Sequence, residues 1–210
     1  MLYSYYDVLQ DSVCTHYLER KDFMESINSR SIRNSKTYSL TVTALMAAVT
    51  CVLAPMSIPI GPVPITLTNL VIYLSLYLLD WKKGTISCLI YIMIGLVGFP
   101  VFSGFTGGLG KLAGPTGGYI IGFIPMAIIA GLAIDRFRSR WIQLAGMIMG
   151  TLVCYAFGTV RFCFQSGTEP LAALSICVIP FIPADLIKMI IVILIAPIIR
   201  EKIDMVKREN

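Results

Sequence analysis

The chain has 210 residues, of which 56% are hydrophobic and 14% are charged, and its mean hydropathy is +0.78. Soluble domains usually carry about 25% charged residues, so this composition excludes an ordinary soluble protein and indicates an integral membrane protein with one compact domain. The formal net charge is +5, but the basic residues flank apolar runs and do not indicate a nucleic-acid partner.

A polar N-terminal extension covers residues 1–37. It lacks the basic start, short apolar core and small-residue cleavage site of a secretory signal. The spacing of its apolar residues over 5–27 fits an amphipathic helix on the membrane surface. A weakly ordered tail fits equally well, and the sequence leaves both interpretations open.

Six apolar segments follow, and each is a candidate transmembrane helix. A span needs about 20 residues, so the run 37–79, which has no Asp, Glu, Lys or Arg, can hold two of them. The segments are 39–55, 66–79, 85–98, 116–134, 142–164 and 184–199. The second is short and follows a proline-rich link, so we expect this link to dip into the protein. The sequence thus predicts an all-α domain of six transmembrane helices over 38–200, followed by a cytoplasmic tail over 201–210.

The basic residues predict the orientation of these helices. The N-terminal segment, the turns at 80–83 and 135–140, and the C-terminal tail counted from Arg200 hold 5, 2, 3 and 4 basic residues, which is 14 of the 17. With six spans, all four segments lie on one side, and an excess of Lys and Arg marks the cytoplasmic side. Both termini are therefore predicted to be cytoplasmic.

Small residues recur every four positions in three of the predicted helices. Ala44 and Ala48 lie in the first helix, and GxxxG pairs lie at 118–122 and 146–150. Such spacing lets a second helix approach closely. For Ala44 and Ala48, docking of a partner and ordinary packing inside the protein remain equally open.

A glycine-rich segment at 99–123 lies between two predicted spans and holds 8 of the 17 glycines. Irregular backbone at membrane depth is tolerated only where it is buried in protein or lines a cavity. The segment is therefore predicted to form a wall of a ligand site. Lys111 is the only charged residue between Gly84 and Ile134.

Asp185 is the only acidic residue within a predicted span, and Lys188 lies on the same helical face. Ionisable residues inside a membrane are candidates for a functional site, although a purely structural ion pair is the alternative. Lys111 is a further cation that could meet this pair. Arg161 fits an interfacial anchor better than an anion contact.

These residue types suit a small amphipathic acid. A carboxylate of the ligand would meet a lysine or backbone N–H groups of the glycine-rich segment, such as those of Gly107 and Gly108. Phe102, Phe105 and Tyr119 offer aromatic surface for an apolar ring. Asp185 could accept hydrogen bonds from ligand N–H groups.

The sequence does not indicate an enzyme. The segment around Lys111 lacks the first glycine and the Ser or Thr of a phosphate-binding Walker A motif, since Phe105 and Leu112 stand there. No nucleophile–base pair is evident, and the six cysteines have no metal-ligand spacing. We therefore predict no cofactor and no metal, and any ATP-driven step would need a separate subunit.

Three segments, in this order, resemble the BioY family over about 38–200. They are IPIGPVPITL at 58–67, the glycine-rich segment from GFPVFSGFTGGLG at 98–110 to GPTGGY at 114–119, and PFIPADLIK at 180–188. BioY proteins are the biotin-binding substrate (S) components of energy-coupling-factor (ECF) transporters. Asn69 stands where the family more often has another small polar residue.

The resemblance implies the six-helix ECF S-component fold in a bacterial plasma membrane, with biotin as the transported ligand. It implies three partners, namely a transmembrane coupling subunit and two cytoplasmic ATPases, with Ala44 and Ala48 as the docking motif. It also implies the following candidate substrate-binding residues: Asp185, Lys188, Lys111, Phe102, Phe105, Gly107, Gly108, Thr116 and Tyr119. An S component for another small vitamin and a non-transporting membrane scaffold are the alternative functions.

Overall fold

The structure is a computed structural model that describes residues 36–59 and 63–209, with side chains described from residue 39 to residue 200. Most of the predicted extension, residues 1–35, lies outside the described residues, as does 60–62 of the proline-rich link. Residues Val42–Lys202 form one compact unit, and the contacts below are contacts within it.

The described part of the chain folds into eight helices and one small hairpin. In chain order the elements are α1 (Lys36–Leu53), β1 (Ser57–Ile58), β2 (Ile65–Thr66), α2 (Thr68–Leu78), α3 (Trp81–Val97), α4 (Leu109–Ala113), α5 (Gly117–Arg136), α6 (Arg140–Ser166), α7 (Pro170–Cys177) and α8 (Phe181–Glu209). Six of these helices, all except α4 and α7, coincide with the six predicted apolar segments.

The helix boundaries differ from the predicted ones at three places. Helix α3 begins at Trp81, so the lysines of the predicted 80–83 turn lie in its first turn. Helix α7 forms within a segment predicted to be irregular, and Pro170 stands at its start, where proline favours helix initiation. Helix α8 continues through the predicted 201–210 tail to Glu209.

Within the described part of the chain, three helices are long and apolar enough to cross a membrane: α5, α6 and the Phe181–Arg200 part of α8. Helix α2 has 11 residues, so it is only about 17 Å long at 1.5 Å per residue, compared with a hydrocarbon core of about 30 Å. The count of six spans and the side on which the termini lie therefore stay predictions.

Helices α5 and α6 make an extensive contact through both GxxxG pairs. A Cβ added at Gly122 would lie 3.1 Å from the Cα of Cys154, and one added at Gly150 would lie 2.9 Å from the backbone oxygen of Met126. A Cβ at either position would require the neighbouring helix to shift, so the two backbones approach closely. The GxxxG pairs thus pack the domain internally.

The proline-rich link between the first two helices contains this hairpin. Its strands are antiparallel, with Ser57 paired to Thr66 and Ile58 paired to Ile65. Val63, in the connection between the strands, is 7% exposed, which agrees with the expectation that the link dips into the protein. The Gly104 N–H donates to the Pro55 oxygen at 3.1 Å and ties the glycine-rich segment to this region.

Candidate ligand-binding site

A cavity lies at the end of the domain opposite the basic turns. It is formed by the hairpin, the first turns of α2, α5 and α8, the middle of α6 and the loop after α3. Its space of about 630 Å³ includes the solvent-filled opening on one side.

The Asp185–Lys188 ion pair forms one wall of this cavity. The Lys188 Nζ lies 2.8 Å from the Asp185 Oδ1, and the two residues are only 7% and 5% exposed. Both side chains project from the first two turns of α8, as predicted from their spacing. Burying two charges is costly unless each is paired and also hydrogen-bonded.

Residues from three other elements supply the additional hydrogen bonds. The Tyr155 hydroxyl on α6 donates to Asp185 Oδ2 at 2.6 Å, and the Asn69 amide on α2 donates to the same oxygen at 3.2 Å. The Lys188 Nζ also donates to the backbone oxygen of Thr66 on β2, at 2.7 Å. This network fixes the orientation of the carboxylate and joins α2, α6, α8 and the hairpin.

The network leaves hydrogen-bonding capacity for a ligand. A carboxylate has about four lone-pair sites, and Asp185 uses three of them, for Tyr155, Asn69 and Lys188. The ammonium of Lys188 has three N–H donors and uses two. The cavity wall can therefore offer one acceptor and one donor side by side.

Aromatic rings line much of the remaining wall. Phe102 packs edge-on against Tyr91, with ring centroids 5.7 Å apart, and its ring lies directly on Gly95, where any side chain would clash with it. The Tyr119 hydroxyl donates to the Cys177 oxygen at 3.1 Å, so its ring is held in place beside the cavity. These surfaces suit an apolar ring system.

Five of the nine predicted substrate-binding residues line this cavity. They are Asp185, Lys188, Phe102, Thr116 and Tyr119. The other four, which are Lys111, Phe105, Gly107 and Gly108, belong to the nearby glycine-rich segment but are not among the described residues of the cavity wall. Part of the predicted set therefore comes together, and part does not.

The geometry of the glycine-rich segment explains why its backbone turns away from the cavity. The Gly108 N–H donates to the Gly95 oxygen on α3 at 2.7 Å, which corrects the expectation that this N–H is exposed to an anion. Gly107 packs against the backbone of Phe99. Phe105 has a positive φ of 56°, which is unusual for a bulky residue, and its side chain is 68% exposed.

The two remaining cations outside the basic end differ in their surroundings. Lys111 is half-buried in α4. The Arg161 guanidinium on α6 donates to the backbone oxygen of Ala113 at 2.7 Å. Arg161 therefore holds the end of α4, and the predicted role of interfacial anchor does not describe this contact.

Asn69 and Tyr155 were not predicted as site residues. Asn69 was noted only as a departure from the family pattern, yet it is the only asparagine within the predicted spans. Polar side chains in a membrane interior usually serve function or helix association, so this was an available signal. Tyr155 gave no such signal, because tyrosines are frequent in this chain.

The comparisons with known proteins agree with this architecture. The model of the BioY family matches residues 25–205. The chain belongs to the BioY family. Its helical membrane domain is therefore a BioY domain, and the resemblance found in the three sequence segments is confirmed.

Several BioY proteins from distant organisms are similar to this chain. The "Biotin transporter BioY" of Thermotoga maritima is 40% identical over 72% of this chain and 89% of that protein. The "Biotin transporter BioY2" of Lactococcus lactis is 35% identical over 77% of this chain and 89% of that protein. The "Probable biotin transporter BioY" of Pyrococcus horikoshii is 39% identical over 77% of this chain and 95% of that protein.

A solved structure has the same fold. It is the S-component for biotin from an ECF-type ABC transporter, with a TM-score of 0.73 and 33% identity, covering 80% of this chain and 93% of that chain. The predicted S-component fold and membrane localisation are thereby confirmed. The relatives are transport proteins, which agrees with the prediction that the chain is not an enzyme.

Proposed function

We propose that this chain captures biotin and delivers it inward as the S component of an ECF transporter. The observation that carries the proposal is the buried Asp185–Lys188 pair in the wall of a cavity that opens to solvent. The names of the BioY relatives and the fold shared with a biotin S-component support biotin over other vitamins. The position of the cavity, opposite the basic turns, supports capture from outside the cell.

The ureido ring of biotin fits the unused hydrogen-bonding capacity of the ion pair. This ring presents an N–H directly beside a carbonyl oxygen. Asp185 would accept the N–H and Lys188 would donate to the carbonyl, and neither residue would have to give up a contact that it already makes. A ligand without this polar pair would leave buried groups unpaired, at a cost of about 1–3 kcal/mol each.

The rest of biotin would then extend along the aromatic wall. Its fused ring would lie against Phe102 and Tyr119, and its carboxylate would point toward Thr116 at the start of α5. Lys111 is five residues before Thr116 and is the nearest cation along the chain. We assign Lys111 to the carboxylate and Lys188 to the ureido ring, with Phe105 at the rim.

Transport would require a transmembrane coupling subunit and two cytoplasmic ATPases, since the chain carries no ATP-binding motif of its own. Ala44 and Ala48 are both exposed on α1, whereas Ala47 between them is 1% exposed. A stripe of small exposed residues on a helix allows a partner helix to approach closely. We assign this stripe to the docking of the coupling subunit.

Calorimetry on the purified chain tests the binding proposal. Biotin should bind tightly, and the Asp185→Asn and Lys188→Ala variants should bind at least tenfold more weakly, since each loses a charge-assisted hydrogen bond of about 1.5–3 kcal/mol. Lys83→Ala is the matched control, because it removes a lysine from an exposed pair with the same spacing. Unchanged affinity in both cavity variants would refute the site.

Two further measurements separate the alternative functions. Displacement of labelled biotin by thiamine or riboflavin would indicate an S component for another vitamin. The absence of any binding, together with loss of folding in the cavity variants, would indicate a scaffold.

The docking assignment has its own test. Replacing Ala44 and Ala48 with Trp should abolish ATP-dependent uptake by the assembled transporter and leave biotin binding unchanged. Uptake that persists in this variant would contradict the docking role.

A further inference from the structure

A second cleft lies at the basic end of the domain, far from the ligand cavity along the helices. It is formed where the α2–α3 and α5–α6 turns meet α8, and it is open to solvent. Asp80, Asp135, Arg138 and Arg200 supply its charged groups. The proposed biotin function does not use any of these residues.

The two carboxylates of this cleft already have partners. Asp80 forms an ion pair with Lys83 at 3.0 Å. The Asp135 Oδ2 accepts a hydrogen bond from the backbone N–H of Trp81 at 2.8 Å. This contact lies at the first turn of α3, and a helix N-terminus favours negative charge. Both acidic groups therefore already have a partner within the chain.

The two arginines differ from the acids in this respect. Arg138 and Arg200 are exposed, and among the side chains that the structure describes neither forms an ion pair. A guanidinium presents planar N–H donors that match phosphate oxygens. The cleft thus offers two such groups to an anion from outside the chain.

The turn that carries Arg138 is held in position by its neighbours. The Gln143 amide donates to the Phe137 oxygen at 2.7 Å, and its oxygen accepts a hydrogen bond from the Tyr77 hydroxyl at 2.8 Å. The backbone beside Arg138 is therefore fixed to α2 and α6. Because this turn is already fixed, the chain loses less conformational entropy when an anion binds there.

Exposed aromatic residues border the same turn. Trp141, three residues after Arg138, is 81% exposed, and Phe137 is 45% exposed. Tryptophan concentrates at the level of lipid headgroups in membrane proteins. This border indicates that the cleft lies near the level of the phosphate groups of the bilayer.

We propose that this cleft binds the phosphodiester headgroup of an anionic phospholipid, with Arg138 and Arg200 as the phosphate contacts. The aromatic border favours a lipid over a soluble phosphate compound, because it places the site at the bilayer surface. Basic pockets between transmembrane helices bind lipid headgroups in this manner.

Lipid retention measured by native mass spectrometry of the purified full-length chain tests this proposal. Phosphatidylglycerol should be retained in preference to phosphatidylcholine. The double variant Arg138→Gln/Arg200→Gln should bind it about thirtyfold more weakly, at about 1 kcal/mol for each basic residue. The matched control is Lys82→Gln/Arg136→Gln, which removes the same charge at the same end of the molecule and should retain the lipid.

Three outcomes would overturn the proposal. One is equal retention of phosphatidylglycerol and phosphatidylcholine, and another is equal loss in the two double variants, which would indicate general surface charge. The third is displacement of the lipid by soluble glycerol phosphate at similar concentration, which would indicate a soluble-phosphate site. Thermal unfolding in a zwitterionic detergent, which should be the same in both double variants, shows that a loss is not due to misfolding.

Discussion

Two ion pairs in this molecule have the same sequence spacing and nearly the same length but opposite surroundings. Lys188 and Asp185 are 2.8 Å apart, with side chains 9% and 6% exposed. Lys83 and Asp80 are 3.0 Å apart, with side chains 41% and 64% exposed. Both pairs span i to i+3 on a helix or its cap.

The difference between them lies in what each pair contacts besides itself. The buried pair accepts hydrogen bonds from Tyr155 and Asn69 and donates one to the Thr66 oxygen. The exposed pair is solvated, and such pairs contribute about 0–1 kcal/mol to stability. Spacing alone therefore predicts that a pair forms, whereas burial and additional donors decide whether it matters.

The largest effect expected is that of Asp185→Ala. It leaves the Lys188 ammonium buried without its carboxylate, so the free energy of unfolding should fall by about 3–5 kcal/mol. Unfolding by denaturant in detergent micelles measures this change. A loss below about 1 kcal/mol, which is the range of an exposed pair, would show that the buried pair stabilises the protein no more than the exposed pair does.

Removing both charges of the buried pair separates its role in stability from its role in binding. Asp185→Leu combined with Lys188→Met leaves no charge unpaired, and such apolar replacement is often neutral. We expect the double variant to be more stable than Asp185→Ala, even with the Tyr155 and Asn69 donors unpaired, but to have no measurable biotin affinity. Retained affinity in a folded double variant would show that the pair serves structure alone.

Tyr155→Phe should have an intermediate effect. It removes the donor at 2.6 Å from Asp185 but keeps the ring, and loss of a hydrogen bond to a charged group costs about 1.5–3 kcal/mol. Biotin affinity should fall as well, because the carboxylate loses one of its fixed contacts. Equal biotin affinities of Tyr155→Phe and the unmodified chain in calorimetry would show that Tyr155 does not position Asp185.

The smallest effect is expected for Lys83→Ala. Its partner Asp80 is 64% exposed, so the free energy of unfolding should change by at most about 1 kcal/mol, and less at high salt. The same unfolding assay at low and high ionic strength measures both values. A change as large as that of Asp185→Ala would contradict the assignment of Asp80–Lys83 as a solvated pair.

Much of the helical fold could be predicted because the membrane imposes it locally. Apolar runs between charged turns identify the six main helices, and Asp185 was identified as the only acid within a predicted span. Helix α7 was missed, since its segment mixes prolines, a glycine and one acid among the apolar residues. Local composition does not distinguish such a segment from a loop.

The composition of the cavity could be predicted only in part. The partners of Asp185 lie 30 and 116 residues away, so no local pattern connects them. The path of the glycine-rich segment likewise depends on distant contacts, such as that of Arg161 with Ala113. Lys111 was therefore expected at the ion pair, although the fold places it in α4.

The walls of the cavity come from distant parts of the chain, and this determines when during synthesis the cavity can form. Lys188 and Thr66 are 122 residues apart, and proteins are synthesised from the N-terminus at about 5–20 residues per second. The earlier helices can enter the membrane seconds before the last one leaves the ribosome. A nascent chain that ends before α8 would therefore carry the Asn69 and Tyr155 donors without the carboxylate that they orient. Completion of the last helix is then the step at which the newly made protein acquires its binding site.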